Sequence, residues 1–223
     1  MPRVFYLALL VACDSPAAGE SVSRPPVTPA VDAPRAGSII LITIDTLRAD
    51  YLGAWGGPAR TPALDALGAG GWLFEECISA SMLTNPSHAS IMTSLYPRDH
   101  GVYDNESGIA DGMRTLAASL RDSGRRTAAV IGFQHLNPEV SNLGQGFDTI
   151  VPATRDERHA DATTKAALAV IDSLGPTARF FLWIHYTDPH SPYEPPASHP
   201  VRQETATGET KMALAVRAAP GFQ

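Results

Sequence analysis

Three apolar runs stand out along the chain: SIILITI at 38 to 44, TAAVI at 127 to 131 and RFFLWIHY at 179 to 186. Each is rich in β-branched or aromatic residues and lacks polar alternation, the pattern of strands buried on both faces. Between them, helical spacing predicts helices over 62–69, 114–123 and 160–174. A shorter helix is predicted behind Thr84, where Ala89 and Met92 are apolar among Ser87, His88 and Ser90, so that one side would be buried. Strand and helix alternate, which predicts an α/β fold with a mostly parallel central sheet sandwiched by helices. No internal repeat is visible.

The N-terminal pattern is different. MPRVFYLALLVAC carries one charge at Arg3, an apolar run from Val4 to Ala12, and then Cys13. The run is too short to span a bilayer and has the form of a signal peptide. Its ending, Leu10-Val11-Ala12-Cys13, resembles a bacterial lipobox, which implies lipidation at Cys13, a membrane anchor and a location in the bacterial cell envelope, facing periplasm or exterior. Residues 14–37 hold five prolines and almost no large apolar side chains, so they read as a tether unable to bury enough surface to fold. Cys77 would then have no cysteine partner in the chain, and its apolar neighbours in WLFEECIS make it a predicted core residue. The net charge of −6, without a long block of like charge, argues against nucleic acid as the main partner.

Candidate chemistry gathers where the predicted strands end, since ligands of such sheets bind off the carboxyl ends of the strands. Asp45 ends the first run and His185 to His190 ends the last. Each residue has a plainer explanation beside the functional one. Asp45 would cap a helix starting near Thr46, Thr84 would cap the helix behind it, and Asn105 would sit in a turn with Asp104. His185, on an apolar strand, reads as a core histidine.

Five ordered blocks tip the balance: IILITIDTLRADYLGAWGG, TPALDALGAGGWLFEECIS, TNPSHASIMTSLYPRDHGVYDN, GRRTAAVIGFQHLNPEVSNLGQGFD and FFLWIHYTDPHSPYEPP. Together they resemble the sulfatase family, of the alkaline phosphatase-like superfamily of metal-dependent ester hydrolases, over about residues 38 to 196. The resemblance implies that residues 38–200 form the N-terminal portion of that α/β domain. It implies that Asp45 and the Thr84 hydroxyl ligate a divalent cation, Ca²⁺ or else Mg²⁺, Mn²⁺ or Zn²⁺, as hard oxygens suit. Thr84 matches the nucleophile at the head of Cys/Ser-x-Pro-Ser-Arg. Threonine is not a substrate for oxidation to formylglycine, so a plain hydroxyl is expected, and such relatives typically cleave phosphodiesters and related phosphorus esters rather than sulfate esters. An anionic ester is the expected substrate.

The helix behind Thr84 would present N–H donors and a positive dipole end to an oxyanion there. His88 stands where the family has Arg, and His190 matches the histidine that assists the leaving group; both join Thr84 as expected catalytic residues. Asn105 resembles an amide that donates to a nonbridging oxygen of the substrate. Departures are also plain: Thr46 replaces a second aspartate, and Phe133-Gln134-His135 stands where the family has a lysine-bearing block. These losses favour, as an alternative, a membrane-tethered module that binds an anion without turning it over. The family continues past YEPP into further metal ligands that are not found in residues 201–223, which read as an irregular tail; a truncated, inactive chain is the expectation.

Overall fold

A computed structural model describes residues 37–154 and 157–191. Cys13, the tether as far as residue 36, and residues 192–223 with the predicted tail lie outside the described residues. The described part divides into two compact units, one of residues 45–79 and 188–191, the other of residues 37–44 and 80–187.

The larger unit is built on four parallel strands, β1 (Ile39–Ile44), β2 (Arg126–Val130), β3 (Thr149–Val151) and β4 (Phe180–Tyr186), in the order β1-β4-β2-β3. β4 is central. Its residues Phe181 to His185 are all buried, and their period of two divides the core between the two faces. Phe181 and Trp183 face a cluster with Ala89 and Met92 of α2 (Thr84–Thr93) and Ala117 of α4 (Leu116–Asp122). Leu182 and Ile184 face a second cluster with Ala167, Val170 and Leu174 of α6 (Ala160–Leu174). The spacing 167, 170, 174 puts these three on one stripe of the helix. Helices thus cover both faces of a parallel sheet, as alternation in the sequence predicts.

β1 departs from the prediction of burial on both faces. Among the described residues it pairs only with β4, and Ile40 is 49% exposed. Only Leu41 and Thr43, on the α2 side, are buried. Thr43 accepts a hydrogen bond from Trp183 Nε1 (3.0 Å), which satisfies the one polar atom of a fully buried indole and ties β1 to β4.

The helix predicted over 114–123 begins two residues later, behind a true cap: the Thr115 hydroxyl accepts from the Ala118 N–H (3.0 Å). Two shorter helices, α3 (Pro97–His100) and α5 (Pro138–Ser141), each start on a proline, whose missing N–H costs nothing at a first turn.

The smaller unit holds two 3-10 turns, Ala49–Tyr51 and Gly53–Trp55, and α1 (Pro62–Gly70). The Asp65 carboxylate joins them, accepting from the Ala54 N–H and the Thr61 hydroxyl (both 2.8 Å). The helix predicted over 62–69 is therefore present, but it buries none of its residues and belongs to this unit rather than to the layers of the sheet. Cys77 is not a core residue. Its segment forms no helix or strand, leaves Trp72 and Ile78 87% and 86% exposed, and covers the thiol only in part. That partial burial pushes the thiol pKa up, so the group stays protonated and unreactive near neutrality. No helix among the described residues is long and apolar enough to cross a membrane.

Candidate active site

The chain turns sharply after β1. Asp45 is buried, the only carboxylate among the buried polar side chains of the described residues, and Thr46 adopts a left-handed conformation (φ 53°). The next helical turn starts at Ala49 with Arg48 in the capping position. Asp45 therefore caps no helix at Thr46, and the capping alternative is removed. A carboxylate kept out of water at the end of a strand is costly unless a hydrogen-bond donor or cation meets it.

Thr84 is the first residue of α2, not its cap: Leu83 holds the N-cap position and makes no side-chain capping bond. The prediction of a half-buried helix fails too, because residues Thr84 to Ala89 are buried without a break. Short polar side chains allow this by bonding backbone nearby. The Thr84 carbonyl accepts from the Ser87 hydroxyl (3.0 Å) and from His88 Nδ1 (2.8 Å), which fixes the first turn from within. A carbonyl only accepts, so Nδ1 of His88 carries a proton. The ring is fully buried, 4.9 Å from His185 edge-on and 5.7 Å from Trp183. His88 thus reaches Thr84 through its backbone. His185, paired with Thr43 across β1 and β4, lies in the core as its strand position predicts.

The capping is done from 20 residues away. Asn105 Oδ1 accepts the backbone N–H of Asn85 (2.9 Å), and in return Asn85 Nδ2 donates to the carbonyls of Asn105 (3.1 Å) and Ser107 (3.2 Å). This reciprocal pair ties the loop to the second residue of α2. Because an N–H needs an oxygen, the Asn105 amide is oriented with Oδ1 on the helix and Nδ2 as its open end. The turn itself is made by Asp104, whose carboxylate accepts the N–H groups of Glu106 (3.0 Å) and Ser107 (2.8 Å). Those bonds and the Ser107 hydroxyl hold the Asp104 carboxyl pKa below its ordinary value, the hydroxyl contributing most. Asn105 is consequently free of the turn role.

Two further residues on α2's surroundings carry no signal in the sequence. His100, buried at the end of α3, accepts the Val102 N–H at Nδ1 (3.1 Å) and so must donate from Nε2 to the Ser90 hydroxyl (3.0 Å). The pair looks like a serine activated by a histidine, but the proton points the wrong way, and the contact fastens α3 to α2. Burial pushes the His100 pKa down, against the opposing influence of the Pro86 carbonyl and the Asp99 charge. Asn85 is the second, since its clamp depends on a loop distant in sequence.

The structure brings Thr84, His88 and Asn105 together in the larger unit. Asp45 and His190 fall in the smaller one, where His190 is half-exposed and its Nδ1 donates to the Ser191 carbonyl (2.7 Å). Among the described residues, no group of three or more His, Cys, Asp or Glu side chains converges into a metal site. Asp45 stands in no such group, and a hard cation needs six or more oxygens. A shallow trough along the outer side of α6, lined by residues such as Asp161, Lys165 and Leu168, borders none of these groups.

Residues 38–219 match the family model described as Sulfatase. The N-acetylgalactosamine-6-sulfatase of the dog, Canis lupus familiaris, is 32% identical over 135 residues, a match covering 53% of this chain and 26% of that protein. The chain thus spans about a quarter of the length of that curated relative. Two solved structures share the fold. One, a protein in complex with its substrate D-glucosamine-2-N,6-O-disulfate, superposes with a TM-score of 0.65 at 22% identity, over 72% of this chain and 36% of that one. The other, the phosphonate monoester hydrolase of Agrobacterium radiobacter, gives 0.59 at 22% identity, over 73% and 43%.

Proposed function

The chain belongs to the sulfatase family, and from that premise we propose that it serves a hydrolase of anionic esters in which the unmodified Thr84 hydroxyl is the nucleophile, acting on phosphodiester or phosphonate-type substrates in preference to sulfate esters. The observation that carries this reading is the arrangement at the head of α2, where Asn105 caps the Asn85 N–H and the first turn that begins at Thr84 is buried and fixed. Thr84 Oγ would attack phosphorus and give its proton to solvent, and the ester oxygen would leave with a proton from His190. Water would then hydrolyse the phosphoryl-threonine, its OH staying on phosphorus and its other proton returning to Thr84 Oγ, while His190 regains a proton from solvent. Asn105 Nδ2 would meet the charge on a nonbridging oxygen. His88 acts as a positioning residue through the Thr84 carbonyl. The role given to His190 rests on the family pattern, as does that of Asp45 as one ligand of a divalent cation. The described residues do not complete a cation's ligand set, and no step above is routed through one.

Thr84→Ala in the whole gene product should lower turnover of an aryl phosphodiester by several orders of magnitude, because covalent catalysis acts as a unit, and Thr84→Ser should retain much of it. A Thr84→Ala protein with near wild-type turnover would end the proposal. The second reading, an anion-binding module without turnover, is favoured by the lack of a convergent metal cluster among the described residues; a burst of leaving group would exclude it. We also propose, from the Leu-Val-Ala-Cys pattern alone, that Cys13 is lipidated and anchors the protein in a bacterial cell envelope. Labelled palmitate should enter the wild type and not Cys13→Ala; equal labelling of both removes the idea.

A further inference from the structure

One cation stands at the carboxyl end of the sheet outside the chemistry described above. Arg158 donates its backbone N–H to the Gly132 carbonyl (2.8 Å) and its Nη2 to the Pro152 carbonyl. Its own carbonyl accepts the hydroxyls of Thr163 (3.2 Å) and Thr187 (3.4 Å). Gly132, Pro152 and Thr187 lie just past the ends of β2, β3 and β4, so these bonds fix Arg158 over the crest of three strands. A bridge between Phe133 and Glu157 holds the same segment down.

That crest is the one to which Thr84 is tied. Gly132 runs so close to β4 that a Cβ on it would come within 2.5 Å of the His185 carbonyl, which explains a glycine there. The His185 ring in turn packs on His88, and His88 holds the Thr84 carbonyl. Loops at this end of an open parallel sheet are where ligands bind.

Arg158 Nη1 is buried and makes no hydrogen bond, and among the described residues no carboxylate pairs with the guanidinium. A guanidinium stays charged, so its charge is carried here without a counter-ion among the described residues. Burial pushes its pKa down, the direction expected when nothing negative offsets the loss of water. An oxygen of an anion at Nη1 would satisfy both the donor and the charge, and a tetrahedral oxyanion suits the planar fork. We propose that Arg158 anchors an oxyanion subsite at the carboxyl end of the sheet, taking a sulfuryl or phosphoryl group, free or as the head of an ester. This deepens the function proposed above, and rests on it only in placing an ester there.

Equilibrium dialysis with labelled inorganic phosphate, at ionic strength held constant with chloride, tests it on the full chain. The wild type should bind phosphate, Arg158→Gln should bind at least about tenfold more weakly, and Arg158→Lys should lie between. Phosphate binding involves no turnover, so failure of the nucleophile and failure of this subsite are read separately. Should Arg158→Gln not fold, labelling of the unaltered chain with phenylglyoxal decides: phosphate should slow reaction at Arg158. Slowing by phosphate alone marks a site for the free anion, and slowing by phenyl phosphate as well marks one for an ester head. No phosphate binding by the wild type, undiminished binding by Arg158→Gln, or no protection of Arg158 would each overturn the proposal.

Discussion

Asn105 joins two functions in one amide, and a single substitution separates them. Its Oδ1 caps the Asn85 N–H, which lies in a residue only 1% exposed, so water cannot replace the lost acceptor. Asn105→Ala removes the cap and leaves that donor buried and unsatisfied, at a cost of about 2 kcal/mol. For a domain of this size the melting temperature should fall by about 4–8 °C. Asn105→Asp keeps an oxygen for the N–H and adds a negative charge at a helix N-terminus, which stabilises by about 0.3–1 kcal/mol, or a rise of roughly 1–3 °C. Both variants lose the Nδ2 donor, and the aspartate places like charge against an anionic ester. Turnover should fall by about 10²–10³ in Asn105→Ala and further in Asn105→Asp. Thermal melts followed by circular dichroism, beside kcat/KM for an aryl phosphodiester, therefore give opposite orders for the two variants. Wild-type turnover in Asn105→Asp would refute the role of Nδ2, and a melting point as low as that of Asn105→Ala would refute the cap.

Two further outcomes test the frame around this site. His100 receives the Val102 N–H at Nδ1, and burial sets its pKa below that of the unfolded chain; the unfolded state then binds more protons, so its contribution is complete above about pH 6.5 and is lost as pH falls from there through the folded pKa. Urea unfolding between pH 5 and 8 should show this slope in the wild type and a flatter one in His100→Asn; equal slopes would deny the linkage. Leu174→Ala should destabilise by about 2–5 kcal/mol through the cavity left among Val170, Leu182 and Ile184, with little change in anion binding, and a loss under 1 kcal/mol in denaturant titration would show that α6 does not pack as described.

What could be read from the chain follows its physical range. A central parallel strand is apolar on both faces, so β4 is plain in FFLWIHY, whereas β3 is three residues long and leaves no pattern. β1 is as continuously apolar as β4 but sits at the edge of the described sheet, which only the pairing order reveals. Thr115 caps its helix locally, three residues from the N–H it accepts, whereas Thr84, read as a cap, is the first helical residue and the acceptor comes from Asn105. Cys77 failed because apolar neighbours in sequence were exposed in space. The block pattern singles out Thr84, His88 and Asn105, and the structure gathers them in one unit. Arg158 was not legible, since its place rests on bonds to the Gly132 and Pro152 carbonyls at the ends of other strands and not on any local spacing.

The central claim is that the Thr84 hydroxyl takes the phosphoryl group. The whole gene product, mixed with an aryl phosphodiester and quenched in acid within a turnover, can be digested and its peptides mapped by mass spectrometry. The account predicts a phosphoryl ester on the peptide carrying Thr84-Asn85-Pro86, localised to Thr84 and absent from Thr84→Ala. Leaving group released in the burst with Thr84 unmodified, or the adduct found on another residue, would contradict it.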